Sequence, residues 1–285
     1  MSCLFVYNKI SGGEKEIKHH EYIVNKLKEI YDDVDLFESG QGKDINNVLV
    51  NKKYRDVICA GGDGSISLLL NDLIKYGFEG FIGYIPLGTA NDFARKHNIP
   101  LNVKKSLEFI ENKKAEVASL GKANNRLLLY GLALGKVSGV SYKAKLNTKK
   151  RLSKFSYVLE GLKELFSFKK YKIKLKFDSY ILEYKTPLVL ILDTKTLGGF
   201  KVNKGKINAY DVIVLKPGLF NGLFGIISIF LFGYKKTNTM FYDYFNLENF
   251  IVETKEIESW CLDGEQIQEQ VIEVNSNKEK IVLYK

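Results

Sequence analysis

The 285-residue sequence predicts an α/β amino-terminal domain built on a doubly wound parallel sheet, followed by a mostly antiparallel β-sandwich domain. Three observations carry this expectation. Short apolar runs alternate with helical patterns over residues 1–120, as in a parallel sheet with helices on its faces. After Gly121 the runs become strand-like with few helices between them. The chain also exceeds the usual size of one domain, and its 45% hydrophobic residues, with 18 Phe and 17 Tyr, can fill one large core or two smaller ones. The expected boundaries are 1–120 and 121–277, with a strand near 278–285 as a candidate to return to the first domain.

The first-domain strands are expected at Leu4–Tyr7, Val34–Phe37, Val57–Ala60 and Phe81–Ile85. Ile17, Ile23, Val24, Leu27 and Ile30 recur at helical spacing between the first two; Ile66, Leu69, Leu70, Leu73 and Ile74 do so between the last two, ending at Gly77. The second domain offers strand-like runs at Arg126–Leu134, Tyr171–Phe177, Leu188–Leu192, Tyr210–Leu215, Val271–Val274 and Ile281–Tyr284. Helical patterns at Ser153–Phe166 and Leu219–Phe232 interrupt them. The latter contains Asn221, Gly222, Gly225 and Ser228 and falls short of the ~20 residues that cross a bilayer, so it reads as a buried helix, with a membrane-dipping segment rich in Phe, Ile and Leu as the alternative.

Lysine and arginine outnumber acids 43 to 33, a formal charge of +10, which favours polyanions such as nucleotides, anionic lipid surfaces or nucleic acid. A generally lysine-rich surface gives the same balance. No nucleic-acid-binding motif is present, so no specific nucleic acid is expected. Cys3, Cys59 and Cys261 are odd in number and widely spaced, which fits a reducing compartment and neither a disulfide framework nor a zinc site. Leu4–Tyr7 follows the first residues directly, without the pattern of a signal peptide, and a cytoplasmic protein is expected. His19 and His20, on a Lys- and Glu-rich helix, and His97 are all expected at the surface.

The chemistry concentrates in two turns. Val57–Ala60 runs into Gly61, Gly62, Asp63, Gly64 and Ser65 at the carboxyl end of a strand, where an α/β crevice opens. Glycines allow close approach of a phosphate, and the free N–H groups of a helix start point toward it. Asp63 then lies in reach to hold magnesium or orient a hydroxyl. The plain structural alternative is a tight strand-to-helix turn with Ser65 as N-cap. The second turn, Pro86 to Asp92, repeats the arrangement: Gly88 permits close approach, Thr89 offers a hydroxyl, and Asn91 and Asp92 offer amide and carboxylate groups or a helix cap. By themselves the two turns leave a sugar, dinucleotide or lipid kinase open.

Together, Gly61–Ser65 and the segment Pro86 to Arg95 resemble the catalytic domain of the diacylglycerol kinase and sphingosine kinase family, including its soluble bacterial-type lipid kinases. The first motif is shared with phosphofructokinases and NAD kinases; the second points to the lipid branch. Asn8, Ser11 and Gly12 resemble the family's first nucleotide loop, with Lys9 where proline is usual, and Ser39 falls where a threonine lies near the nucleotide. Gly198-Gly199 and Leu262-Asp263-Gly264-Glu265 match further landmarks. From its spacing alone, Asp263-Gly264 is a hairpin turn and Glu265 a surface acid.

The resemblance implies a phosphofructokinase-like nucleotide-binding domain and a β-sandwich lipid-substrate domain. It implies ATP and Mg2+ as requirements and transfer of the γ-phosphate to a lipid hydroxyl, diacylglycerol or a related lipid. Glu265 is then the base, Asp63 is catalytic and the magnesium ligand, and Asn8, Ser11, Gly12, Ser39, Gly61, Gly62, Asp63, Gly64, Ser65, Gly88, Thr89, Asn91 and Asp92 form the nucleotide site. The lipid is met at an anionic membrane surface, peripherally on the inner face, with Lys149, Lys150, Arg151 and Lys154 as candidate contacts; a homodimer is compatible. The chain departs from the family where Ser119 replaces an aspartate, where Tyr130 replaces an asparagine, and in the loop 200–208, so no second magnesium site is expected. An NAD-kinase-like enzyme and a catalytically silent lipid- or nucleotide-binding relative are the alternatives.

Overall fold

Four apolar runs of the first 86 residues become parallel strands: β1 (Ser2–Tyr7), β2 (Asp33–Glu38), β3 (Asp56–Gly61) and β4 (Phe81–Pro86). Helices α1 (Glu14–Ile30), α2 (Asn46–Asn51) and α3 (Asp63–Tyr76) connect them; α4 (Asp92–Lys96) and α5 (Val103–Glu111) follow. The computed structural model describes the chain except residues 9–13, 41–42, 136–168, 203–208, 219–223, 226–227 and 230–232, and the side chains of 14–18, 200 and 277–278. Its backbone divides into two compact units, residues 1–120 with 279–285, and residues 121–278.

In the first unit the strand order is β2-β1-β3-β4, and β3 is buried along its whole length because both of its faces are covered. Cys3, Phe5, Ile58, Ala60 and Ile85 pack with Ile23, Val24 and Leu27 of α1 and with Leu107 and Ile110 of α5. On alternate positions Leu4, Val57, Cys59, Ile82 and Tyr84 are buried too, and α3, which packs on β3, buries Ile66, Leu69, Leu70 and Leu73. Each such aliphatic side chain contributes roughly 1.5–3 kcal/mol by leaving water. Helix α3 stops at Gly77, whose φ of 78° lets the Gly77 and Phe78 amides bond the Ile74 and Leu73 carbonyls. Helix α5, which the sequence reading left out, is capped by Asn102, whose side chain accepts from the amides of Lys104 and Lys105.

The second unit is antiparallel. Its strands are β5 (Ala115–Ala123, from Gly121 on), β6 (Arg126–Leu128), β7 (Gly131–Leu134), β8 (Tyr171–Phe177), β9 (Tyr180–Thr186), β10 (Val189–Leu192), β11 (Thr196–Leu197), β12 (Phe200–Lys201), β13 (Tyr210–Leu215), β14 (Tyr242–Leu247), β15 (Asn249–Leu262) and most of β16 (Glu265–Tyr284). Strand β15 breaks register between Glu253 and Glu258. Before the break it pairs with β8, and after it with β7, so one strand serves two layers. Leu132, Leu134, Val189, Ile191, Val212 and Val214 share a core with Ile173, Leu175, Phe250, Val252, Ile272 and Val274, around the fully buried Trp260. Alternate residues Leu190, Leu192, Ile213 and Leu215 enter a second cluster with Val202, Ile229, Tyr234 and Tyr242, which explains why β10 and β13 read as unbroken apolar runs.

Several expectations need amendment. Arg126–Leu134 is two strands with Leu129 and Tyr130 between them. Val271–Val274 and Ile281–Tyr284 are parts of one 20-residue strand, β16, whose Val282 and Leu283 pair in parallel with β4 in the first unit. The expected helix at Ser153–Phe166 and the basic residues Lys149, Lys150, Arg151 and Lys154 lie outside the described residues. Of Leu219–Phe232, residues 224–225 and 228–229 are described; they are helical, with Ile229 buried and Phe224 exposed. No helix among the described residues is long and apolar enough to cross a membrane.

Candidate functional site

The parallel register sets the site. Tyr7 lies opposite Glu38 and Ala60, and Gly61 opposite Pro86, so Asn8, Ser39, Gly62 and Leu87 all leave the sheet at its carboxyl edge. Since β2 and β3 flank β1 on opposite sides, the chain changes direction at the β1/β3 edge, where crevices form in open α/β sheets. The Ser39 amide and hydroxyl both donate to the Tyr7 carbonyl, at 2.7 and 3.1 Å. Ser11 and Gly12 lie outside the described residues.

The two glycine turns meet backbone to backbone. A Cβ on Gly62 would stand 3.3 Å from the Gly88 Cα, one on Gly88 2.7 Å from the Gly62 Cα, and one on Gly61 2.5 Å from the Ser65 hydroxyl. These contacts leave no room for side chains. The Gly61 carbonyl accepts from the Leu87 amide at 2.8 Å and the buried Tyr84 hydroxyl at 3.1 Å. Asn91, in the left-handed region at φ 51°, folds its amide onto its own turn, accepting from Gly88 N–H at 3.0 Å and donating to the Gly88 carbonyl at 2.7 Å. Thr89 is exposed at the tip. Helix α3 starts at Asp63, with Gly62 in place of Ser65 at the N-cap position and no side-chain cap; Asn91 occupies the N-cap position of α4 without capping it.

The cap of α4 comes from the other turn. Asp63 Oδ1 accepts from the Phe93 amide at 3.1 Å, and the amides of Asp92 and Asn91 also turn toward this carboxylate. Burial pushes the Asp63 carboxyl above its ordinary value, the Phe93 hydrogen bond opposes this, and the charge of Asp92 adds to it. Asp92 is itself buried at 2% exposure. Among the described residues no three His, Cys, Asp or Glu side chains gather as a metal cage. A magnesium ion that takes phosphate oxygens and waters needs only one or two carboxylates, so Asp63 with Asp92 beside it fits that ion.

Two of the three histidines depart from expectation. His97 is buried, packs on the Phe93 ring at 4.5 Å, and burial lowers its pKa to about 3. His20 is half-buried against Tyr7 at 4.3 Å between ring centres, while His19 is exposed. The apolar helix and strand faces outweigh the charged neighbours that suggested solvent.

In the second unit, Asp263 and Gly264 form the two-residue turn joining β15 to β16, with Leu262 opposite Glu265 and φ of 48° and 88°. That is the type I′ hairpin that Asp-Gly favours. The Asp263 carboxylate is buried and accepts from Leu129 N–H at 2.7 Å and from Tyr130 and Gly131 N–H at 2.9 Å. Glu265 is the first residue of β16 and is exposed. Ser119 is exposed on β5, and Gly198 and Gly199 turn the β11–β12 hairpin at φ 60° and 83°. The Asp63 link to α4 and the Asp263 clamp were not read from the sequence, since neither partner is near in the chain.

Comparison with known proteins matches residues 2–123 to the diacylglycerol kinase catalytic domain. Over this segment the chain is similar to that catalytic domain. It is 26% identical over 222 residues to the diacylglycerol kinase of Bacillus subtilis (strain 168), covering 74% of this chain and 72% of that one. The diacylglycerol kinase of Staphylococcus carnosus (strain TM300) is 24% identical over 199 residues, 69% of this chain and 65% of that one. A crystal structure of a diacylglycerol kinase from Bacillus anthracis str. Sterne shares the fold with a TM-score of 0.76 at 18% identity, over 99% of this chain and 96% of that chain. A putative diacylglycerol kinase from the same organism gives 0.80 at 21%, with the same coverage. Both glycine turns of this chain, Gly61–Ser65 and Pro86–Asp92, fall inside the matched segment.

Proposed function

We propose that this chain is an ATP-dependent lipid kinase that transfers the γ-phosphate to the hydroxyl of a diacylglycerol-like lipid. The observation that carries the reading is the Gly62–Gly88 backbone contact, bridged by Asp63. It leaves a cradle without side chains at the carboxyl edge of a parallel sheet, in a segment that matches a kinase catalytic domain. In this reading the phosphates lie against the amides of Gly62, Asp63, Gly64 and Ser65, where α3 begins, and against Gly88 and Thr89. Asn91 keeps the second turn open to them, and Asn8, Ser11, Gly12 and Ser39 border the rest of the nucleotide.

Asp63, with Asp92, would hold Mg2+, which when bound neutralises phosphate charge. Glu265 accepts the proton of the lipid hydroxyl as the phosphorus–oxygen bond forms. A lipid substrate and a formal charge of +10 together favour work at an anionic membrane surface. The test is purified protein with magnesium-ATP and a panel of diacylglycerol, sphingoid base, other lipids and NAD. Phosphorylated diacylglycerol or a related lipid is expected. Transfer to NAD alone, no transfer to any lipid, or full activity in both Asp63→Asn and Glu265→Gln overturns the reading.

A further inference from the structure

We infer that Tyr130 is a positioning residue for Glu265. Tyr130 lies between β6 and β7, 7% exposed, and its hydroxyl donates to the Asp263 carbonyl at 2.7 Å. That carbonyl belongs to the single peptide between the two central residues of the β15–β16 turn, so holding its oxygen fixes the plane from which the chain enters Gly264 and Glu265. The anchor is reciprocal: Asp263 Oδ1 accepts from Tyr130 N–H at 2.9 Å, and Asp263 N–H donates to the Gly131 carbonyl at 2.8 Å. The hydroxyl sits 3.6 Å from where a Cβ on Gly264 would be, so the ring tip lies directly over the turn. A tyrosine here is long enough to reach the far peptide of the hairpin. Tyr130 is thus tied through both its hydroxyl and its amide to the turn that carries Glu265.

The inference rests on Glu265 acting as the base, and the experiment separates the two ideas. Tyr130→Phe removes one hydroxyl and keeps the ring. Tyr244→Phe is the control, since it removes a hydroxyl that donates to Asp211 at 2.6 Å in the same unit and not to a residue of the turn. Lipid phosphorylation is measured for both, with kcat and the KM for ATP taken separately, alongside thermal melting. Expected is an about tenfold lower kcat in Tyr130→Phe with the KM for ATP unchanged, from loss of alignment at the reacting oxygen. Tyr244→Phe is expected to lower the melting temperature and leave kcat as it was.

Gly264→Ala, which places an L side chain at φ 88°, strains the same turn, gives a second route if Tyr130→Phe folds poorly, and is expected to lower kcat similarly, with the double variant less than multiplicative. Unchanged kcat in Tyr130→Phe while Glu265→Gln is inactive overturns the positioning role alone. Equal kcat losses in Tyr130→Phe and Tyr244→Phe, or fully multiplicative losses in the double variant, overturn it as well. Full activity in Glu265→Gln overturns both it and the assignment of the base.

Discussion

The two units each place an aspartate in a glycine turn, and the two carboxylates have opposite fates. Asp263 is 3% exposed, and its two oxygens accept three backbone N–H groups, from Leu129, Tyr130 and Gly131. Asp63 also faces amides, but it is only half-buried, a second carboxylate lies close by, and its proton affinity is raised. A carboxylate occupied by amides on both oxygens is a structural clamp. One whose burial and neighbouring charge outweigh its hydrogen bonds is poised for a cation or a proton. The same residue beside the same glycine is construction in one turn and, in the proposed reaction, chemistry in the other.

Substitution at the two aspartates breaks this comparison most sharply. Asp63→Asn is expected to lower kcat by about 10³-fold while the folded state melts within a few degrees of the parent, as steady-state kinetics and calorimetry would register. Asp263→Ala is expected to do the reverse, costing about 3 kcal/mol in urea unfolding by leaving buried amides without an acceptor. If Asp263→Ala unfolds no more easily than the parent, the clamp has been misread.

Breaking the ion pair of the first unit comes next. Lys113 donates to Asp56, which is fully buried, at 2.8 Å, and Lys113→Met is expected to cost about 3 kcal/mol without changing the KM for ATP. Gly88→Ala sharpens the nucleotide side: its methyl would meet the Gly62 Cα at 2.7 Å, and ATP affinity measured by titration calorimetry should fall about tenfold.

The smallest expected effect is on pH. His97 titrates at 6.5 in an unfolded chain and about 3 when buried, so between these values the unfolded state binds more protons and stability falls as pH is lowered. From pH 6.5 to 5 that loss is about 2 kcal/mol, and His97→Phe should flatten this part of the curve. An unchanged slope in that variant would mean that His97 is charged in the folded protein.

What could be read in the sequence follows from range. The β1, β3, β4 and β13 strands were legible because burial on both faces makes unbroken apolar runs, and Gly77 announced the end of α3. Strand β16 was read as two pieces because Asn275 to Lys280 is polar, and its length is set by pairing with distant strands. The two glycine turns at the ends of β3 and β4 were legible because each motif is local. That Asp63 caps α4, that Tyr130 reaches Asp263, and that His97 is buried depend on contacts made only after the sheet has formed.

Tyr284 carries a consequence for how the protein comes to be made. Its hydroxyl bonds the Asp56 carboxylate at 2.9 Å across 228 positions of sequence, beside the Lys113 contact. Closing a loop of that length costs about 5 kcal/mol in its length-dependent part alone. During synthesis residues 1–120 emerge first, yet β4 lacks this edge partner until Val282 and Leu283 have also left the ribosome. Completion of this unit is therefore a late event, waiting on a strand made after residues 121–278.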